Sequence, residues 1–202
     1  MVYVHRMMSN EDLTHAIATV RCGVYHRGSF EEVEQETCRE EIVVISLNGR
    51  PVSTLVATPV ELRELGAGYV VSEGLAGKIE EVSLEGLNIL VRASERSGSL
   101  RSIIESCGGP TSGTLASEVK SSLVISRDLV FTVISHIVSE LWERTGGAHC
   151  SVLFSGGNLV AKSSDIGRHN TVDKVIGHAL LSGIDLSQCV LGCTGRQPSG
   201  MV

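Results

Sequence analysis

The segment Asp165-Ile166-Gly167-Arg168-His169-Asn170 puts a guanidinium, an imidazole and an amide in successive positions, between a predicted strand and a predicted helix. Backbone N–H groups at a helix N-terminus bind anions. Arg168 adds a planar fork suited to phosphate, and His169 can exchange a proton near neutral pH. Arg196 follows the next predicted strand and is expected at the same edge, because loops at the carboxyl ends of neighbouring strands converge. The plainer alternative is a capped helix with exposed polar residues. His149, in Gly146-Gly147-Ala148-His149-Cys150, is a second candidate, to be weighed against an ordinary structural histidine. In a zinc nucleobase deaminase a ligand His is followed two residues later by a general-base Glu, and P-C-x-x-C supplies further ligands. Here Ser151 stands at the Glu position and three residues separate Cys189 from Cys193, so that chemistry is disfavoured and no structural metal is expected. The six cysteines (22, 38, 107, 150, 189 and 193) form no C-x-x-C. Cys150 sits in an apolar strand context and Cys189 on the last predicted strand, where a free thiol is ordinarily buried. Cys107 lies in Ser106-Cys107-Gly108-Gly109-Pro110, among small polar neighbours, and is expected to be exposed. Such a thiol becomes a nucleophile where its pKa is lowered or a base is near.

These residues need elements to hold them. Residues 11–20 read as a short helix capped by Ser9 or Asn10, and the acidic run at 31–36 as solvated surface. Residues 42–47 form a near-continuous apolar strand, which predicts burial on both faces. Asn48-Gly49 is the strongest short hairpin signal, with a return strand over 52–57. A helix follows over 60–75, weakened by Gly66 and Gly68, then short strands near 81–83 and 88–92. Residues 95–114 are a Ser- and Gly-rich loop. A long helix capped by Ser126 carries Leu129, Val130, Val133, Ile134, Ile137, Val138, Leu141 and Trp142 on one face, and Gly146-Gly147 ends it. Strands over 151–154 and 159–161 flank a Gly156-Gly157 turn. Asn170 caps a further helix, with Asp173 resembling a capping box. The last strand spans 186–191. Helix, hairpin, helix and strand from 126 onward make an α/β layer.

Composition narrows the function classes. The 202 residues are 42% hydrophobic and 20% charged, ordinary globular usage. Net charge is −6, from 23 acidic and 17 basic residues, so the basic surface of a general nucleic-acid binder is missing. Aromatics are 3%, too few for a base-stacking platform along a single strand. No signal-like start and no run of about 18 apolar residues is present, so no membrane association and a cytoplasmic location are expected.

Taken together, three motif segments resemble the FdhD family of sulfur carrier proteins needed for formate dehydrogenase. They are Ser164–Gly177 with its Asp165-Ile166-Gly167-Arg168-His169-Asn170 core, Thr145-Gly146-Gly147-Ala148-His149, and Ser106-Cys107-Gly108-Gly109. Leu65–Gly74 resembles the family's early helix, and the likeness runs from about residue 41 to the end. The resemblance implies a cytidine-deaminase-like α/β/α layer over 125–202, a smaller β-rich subdomain over 41–124 and an N-terminal extension over 1–40. It implies a homodimer that accepts persulfide sulfur from a cysteine desulfurase on Cys107. The sulfur passes to a molybdenum or tungsten bis-pterin guanine dinucleotide, bound as substrate, which then enters the formate dehydrogenase apoenzyme. Arg168, His169, Asn170, His149 and Arg196 are the implied cofactor-binding residues, with Lys174 as a further cation for the anionic ligand. Many members carry two cysteines in the loop; here Pro110 replaces the second, so Cys107 acts alone there, with Cys193 its competitor near Arg196. Members continue beyond the position of Val202 into a segment that holds the guanine dinucleotide, so a shortened chain is expected to bind it weakly. The alternative functions are a truncated non-catalytic paralogue that only binds the desulfurase or the dehydrogenase, and a nucleotide-hydrolysing or deaminating enzyme.

Overall fold

The computed structural model describes residues 8–95 and 121–196. The Cys107 loop and the chain after Arg196 lie outside the described residues.

Helix α1 (Asn10–Ala16) opens on a capping box formed by Ser9 and Asp12. It stops short of the predicted end. From Ile17 the chain turns into a ribbon of β1 (Ile17–His26) paired antiparallel with β2 (Ser29–Cys38). β-branched Ile17, Thr19 and Val20 favour extended backbone, which overrides the helical reading of 17–20. The acidic run is one strand of this exposed ribbon.

Strands β3 (Glu41–Leu47) and β4 (Arg50–Ala57) form the predicted hairpin. Asn48 and Gly49 take φ of 50° and 80°, the positive values a two-residue type I′ turn requires. Strand β3 also runs parallel to β6 (Asn88–Glu95), which pairs antiparallel with β5 (Ala76–Glu85), giving the order β4-β3-β6-β5. Helix α2 (Leu62–Ser72) covers one face, with Leu65 and Val70 packed on Val43, Ile45, Ile89 and Val91. The other face is open, and Ile42 is 65% exposed, so the expected two-sided burial of β3 does not hold. A single helical layer covers the sheet, and burial along β3 starts only at Val43.

The second sheet has the order β8-β7-β9, all antiparallel. Its central strand β7 (His149–Ser155) is buried on both faces beside β8 (Asn158–Asp165) and β9 (Cys189–Cys193). Leu153 packs with Val175 and Ala179 of α5 (Arg168–Leu181) on one side. Cys150, Val152 and Phe154 pack with Val133 of α3 (Arg127–His136) on the other. This is the expected α/β layering, helix on sheet on helix. Gly68 of α2 and Gly177 of α5 lie where the two sheets' helices meet, whereas Gly66 backs onto Ile89 and Val91 of the sheet. A Cβ on Gly68 would lie 1.8 Å from the Asp173 carbonyl oxygen, and one on Gly177 1.8 Å from that of Glu64. Helices α2 and α5 touch backbone to backbone there.

Three boundaries differ from expectation for local reasons. The long helix predicted from Ser126 breaks after His136 and restarts as α4 (Glu140–Thr145). Ser139 accepts the Trp142 N–H as a new N-cap, and Lys162 Nζ donates to the freed Val138 carbonyl at 2.6 Å. Helix α5 starts at Arg168 with Gly167 as its N-cap, three residues before the predicted Asn170 cap. Residues Leu186–Gln188 form a single 3-10 turn capped by Asp185, so β9 begins only at Cys189. No described helix is long and apolar enough to cross a membrane.

Candidate functional site

The site is built from the end of β8 outward. Asp165, the last residue of β8, is fully buried and bonded on both carboxylate oxygens. Oδ1 accepts from Gly167 N and Asn170 Nδ2, each at 2.8 Å. Oδ2 accepts from Thr58 N at 3.0 Å and from Lys174 Nζ at 2.6 Å. Lys174 Nζ donates also to the Thr58 carbonyl at 3.1 Å, and the Thr58 hydroxyl oxygen accepts from Ile166 N at 3.2 Å. A charge so deep is tolerated only when paired and hydrogen-bonded. These bonds hold the first turn of α5 against the loop after β4. Lys174 is thereby consumed: it is 0% exposed and tied to Asp165, so it supplies no cation to an outside anion, contrary to the sequence expectation. Asn170 is buried as well, its amide nitrogen shared between Asp165 and the Val56 carbonyl. It orients the turn.

Arg168 and His169 are half-buried at the N-terminus of α5, the positive end of a 14-residue helix. Burial, and then the Arg168 charge, push the His169 imidazole below its ordinary 6.5, so the neutral ring is favoured. Arg168 lies against Gly195, where an added Cβ would come within 2.7 Å of the Arg168 Cβ and 2.9 Å of its Cδ. Its Nε is buried and has no hydrogen-bond partner among the described residues. A buried donor left unpaired costs free energy that an anionic acceptor would recover.

The turn after β9 joins this edge to His149. Cys150 N donates to Thr194 Oγ1 at 3.0 Å, and Thr194 N donates back to the Cys150 carbonyl. The Thr194 hydroxyl sits 3.3 Å from His149 Nδ1. Motif segments 145–149 and 165–170 and the 194–196 turn therefore converge through Thr194 and Gly195. Arg196 is exposed directly after them. Beside them opens a cleft of about 520 Å³, bounded by Ile137, Val138, Trp142, Gly147, His149 and Thr194 among others. Sequence reasoning missed Thr58 and Thr194, because a lone threonine carries no spacing signal.

The thiols divide by environment. Burial pushes Cys38, Cys150 and Cys189 up, which keeps them protonated and poorly nucleophilic. Cys150 is buried as expected, whereas Cys189 is only half-buried. Cys193 is half-buried on β9, its Sγ donating to the Gly195 carbonyl at 3.3 Å. Ser151, at the position a deaminase fills with Glu, is buried and bonded to Thr171 Oγ1 at 2.7 Å. No three His, Cys, Asp or Glu among the described residues are placed to hold a metal ion.

Comparison with known proteins gives one consistent answer. Residues 38–202 match the model of the FdhD/NarQ family. A protein FdhD from Methanocaldococcus jannaschii is 30% identical over 190 residues, covering 92% of this chain and 77% of its own. A sulfur carrier protein FdhD from Thermoplasma volcanium is 32% identical over 196 residues, covering 82% of this chain and 70% of its own. A crystal structure assigned as a formate dehydrogenase accessory protein from Desulfotalea psychrophila superposes with a TM-score of 0.73 at 25% identity. The match covers 92% of this chain and 76% of that one.

Proposed function

The chain belongs to the FdhD/NarQ family, and on that premise we propose that it is a sulfur carrier in the maturation of formate dehydrogenase. Sulfur arrives from a cysteine desulfurase as a persulfide. The Cys107 thiolate attacks the outer sulfur, the donor's S–S bond breaks, and the donor cysteine leaves as a thiolate. The sulfane sulfur is then held as a persulfide on Cys107, with no external oxidant or reductant required. The carrier hands it on to a molybdenum or tungsten bis-pterin guanine dinucleotide, a multiply anionic substrate destined for the formate dehydrogenase apoenzyme. The protein works as a cytoplasmic homodimer in this reading.

The observation that carries it is Arg168 at the edge where the motif segments meet, its aliphatic stem laid over Gly195 and its Nε buried without a hydrogen-bond partner among the described residues. That arrangement fits a dinucleotide phosphate. Arg168, His169 and Arg196 would face the anion, and Asn170 would hold the α5 turn that presents them. His149, tied to Thr194, would face the organic part of the ligand. An acidic protein needs such a local positive site to hold an anion.

The test is sulfur loading. Full-length protein is incubated with a cysteine desulfurase and free cysteine, and peptides are mapped by mass spectrometry for an added mass of about 32 Da, one sulfur. Label on Cys107, lost in Cys107→Ala, is the expected result. Label confined to Cys193, or undiminished in Cys107→Ala, overturns the assignment. Absence of any loading favours the non-catalytic alternative.

A further inference from the structure

We propose that Trp142 is the stacking platform of the 520 Å³ cleft, and that Gly147 is glycine to give a flat fused heterocycle room to lie there. The identity of the heterocycle rests on the sulfur-carrier reading; the slot itself rests on geometry.

The first observation is Trp142 itself. It is 50% exposed, although a large aromatic side chain gains most when buried. It stands on the cleft wall with Ile137 and Val138, while His149 and Thr194 supply polar atoms. Mostly apolar walls with a few convergent polar groups, in a volume of roughly 300–1,000 Å³, are the ordinary make-up of a small-molecule site. An indole face accepts any flat heterocycle by stacking, as bases stack on aromatic side chains.

The second observation concerns the glycine pair below it. Gly146 is explained by its backbone: it caps α4 at φ 66°, its N–H donating to the Trp142 carbonyl at 2.7 Å. Gly147 has no such reason. Its φ lies outside the left-handed region, and an added Cβ would meet nothing nearer than the Thr145 carbonyl at 3.9 Å. Among the described residues, neither the backbone's φ nor the packing requires a bare backbone there. A ligand passing close over residue 147 does require one.

The third is the direction of charge. From Thr194 on the cleft wall the chain runs directly to Gly195, which carries Arg168 across its face. A ligand with its ring on Trp142 and its phosphates toward Arg168 would span one continuous surface. The ring chemistry shared by both halves of the expected substrate is a 2-amino-4-oxo pyrimidine fused to a second ring, as in guanine and in a pterin.

Trp142 is the single tryptophan of the chain, so intrinsic fluorescence reports on it alone. The full chain is titrated with GMP, with a pterin monophosphate, and with ribose 5-phosphate as a ring-free control. Saturable quenching by GMP or by the pterin, and none by the control, is expected; which ring quenches tells which half occupies the slot. Calorimetry with the quenching ligand then reads the variants. Trp142→Ala should weaken binding roughly tenfold or more, while Trp142→Phe, which keeps a stacking face, should stay near wild type. Gly147→Ala should leave the melting temperature unchanged and also weaken binding. No quenching by either ring overturns the proposal, as does wild-type affinity in Trp142→Ala or Gly147→Ala. A Trp142 emission that shifts only with protein concentration also overturns it, because a second copy then covers the indole. Sulfur loading of Cys107 is measured separately. Loading without quenching sinks this proposal and leaves the carrier standing; quenching without loading does the reverse.

Discussion

Arg168 shows how a single residue's role is set by a neighbour without a side chain. The Arg168 stem can lie along the turn after β9 only because residue 195 is glycine. Burial of Nε there removes water without supplying an acceptor among the described residues, which is the basis for proposing that the side chain takes an anion. Arg168→Lys keeps the charge but loses the planar fork. It should therefore weaken binding of GDP, used as an anionic probe, by about 1–3 kcal/mol, the cost of leaving a buried polar group without its partner. Gly195→Ala should act in the same direction, since its Cβ would displace the Arg168 stem. Calorimetry on folded protein decides it: Arg168→Lys binding as tightly as wild type would make Arg168 an ordinary surface residue. Thr194 is the complementary case, a residue placed by the backbone whose hydroxyl sets His149, and no spacing rule points to it.

At the scale of elements, the helix pair α2–α5 is governed by glycines that local rules count as defects. Alanine at 177 would gain helix propensity of about 1 kcal/mol. Its Cβ would lie 1.8 Å from the Glu64 carbonyl oxygen and 2.8 Å from Gly68 N, both backbone atoms that cannot rotate away. Overpacking costs typically about 1–3 kcal/mol, and a backbone contact sits at the upper end. Gly177→Ala should therefore be net destabilising, read as a lower urea midpoint; an unchanged midpoint would mean that α2 and α5 are free to separate. The same logic explains which elements were legible in the sequence. Asn48-Gly49 and Gly156-Gly157 announce their turns because positive φ is a local demand, met at all four residues. The Gly66 and Gly68 positions read only as weaknesses in a helix, because their partners, Ile89 and Asp173, lie far along the chain. The break at Ser139 was hidden by an apolar stripe that continues through it. Periodicity reports which residues share a face, not whether a cap competes for the backbone, nor whether anything covers the face: Ile134 and Val138, placed on the apolar face of the predicted helix, are exposed. Of the candidate site, the motif residues Arg168, His169 and His149 were legible from type and spacing, whereas the bonds that hold them join residues as far as 116 apart.

For the whole molecule, the buried Lys174–Asp165 pair is the joint between the two sheets. Thr58, on the loop leaving β4 of the four-stranded sheet, bonds both members of the pair. Asp165 ends β8 of the three-stranded sheet, and Lys174 lies on α5, the helix packed against α2. An ion pair at 0% exposure is costly to desolvate, and an apolar replacement of both partners can be as stable. Its value lies in geometry: Asp165 also fixes Gly167 N and Asn170, so the pair sets the entry of α5 and with it the direction of Arg168. Lys174→Met leaves a buried carboxylate that keeps only its neutral donors. It should lower stability by about 3–5 kcal/mol, the cost of breaking a buried pair from one side. Asp165→Asn combined with Lys174→Met removes the stranded charge and should recover part of that loss, giving a favourable coupling in a double-mutant cycle. Denaturant unfolding of the four proteins measures both quantities. A Lys174→Met cost under about 1 kcal/mol, or strictly additive single effects, would show that packing of α2 on α5 alone joins the sheets. GDP calorimetry on the double variant then separates stability from function. If it refolds to near wild-type stability yet binds the anion more weakly, the pair aims Arg168 as well as holding the sheets together.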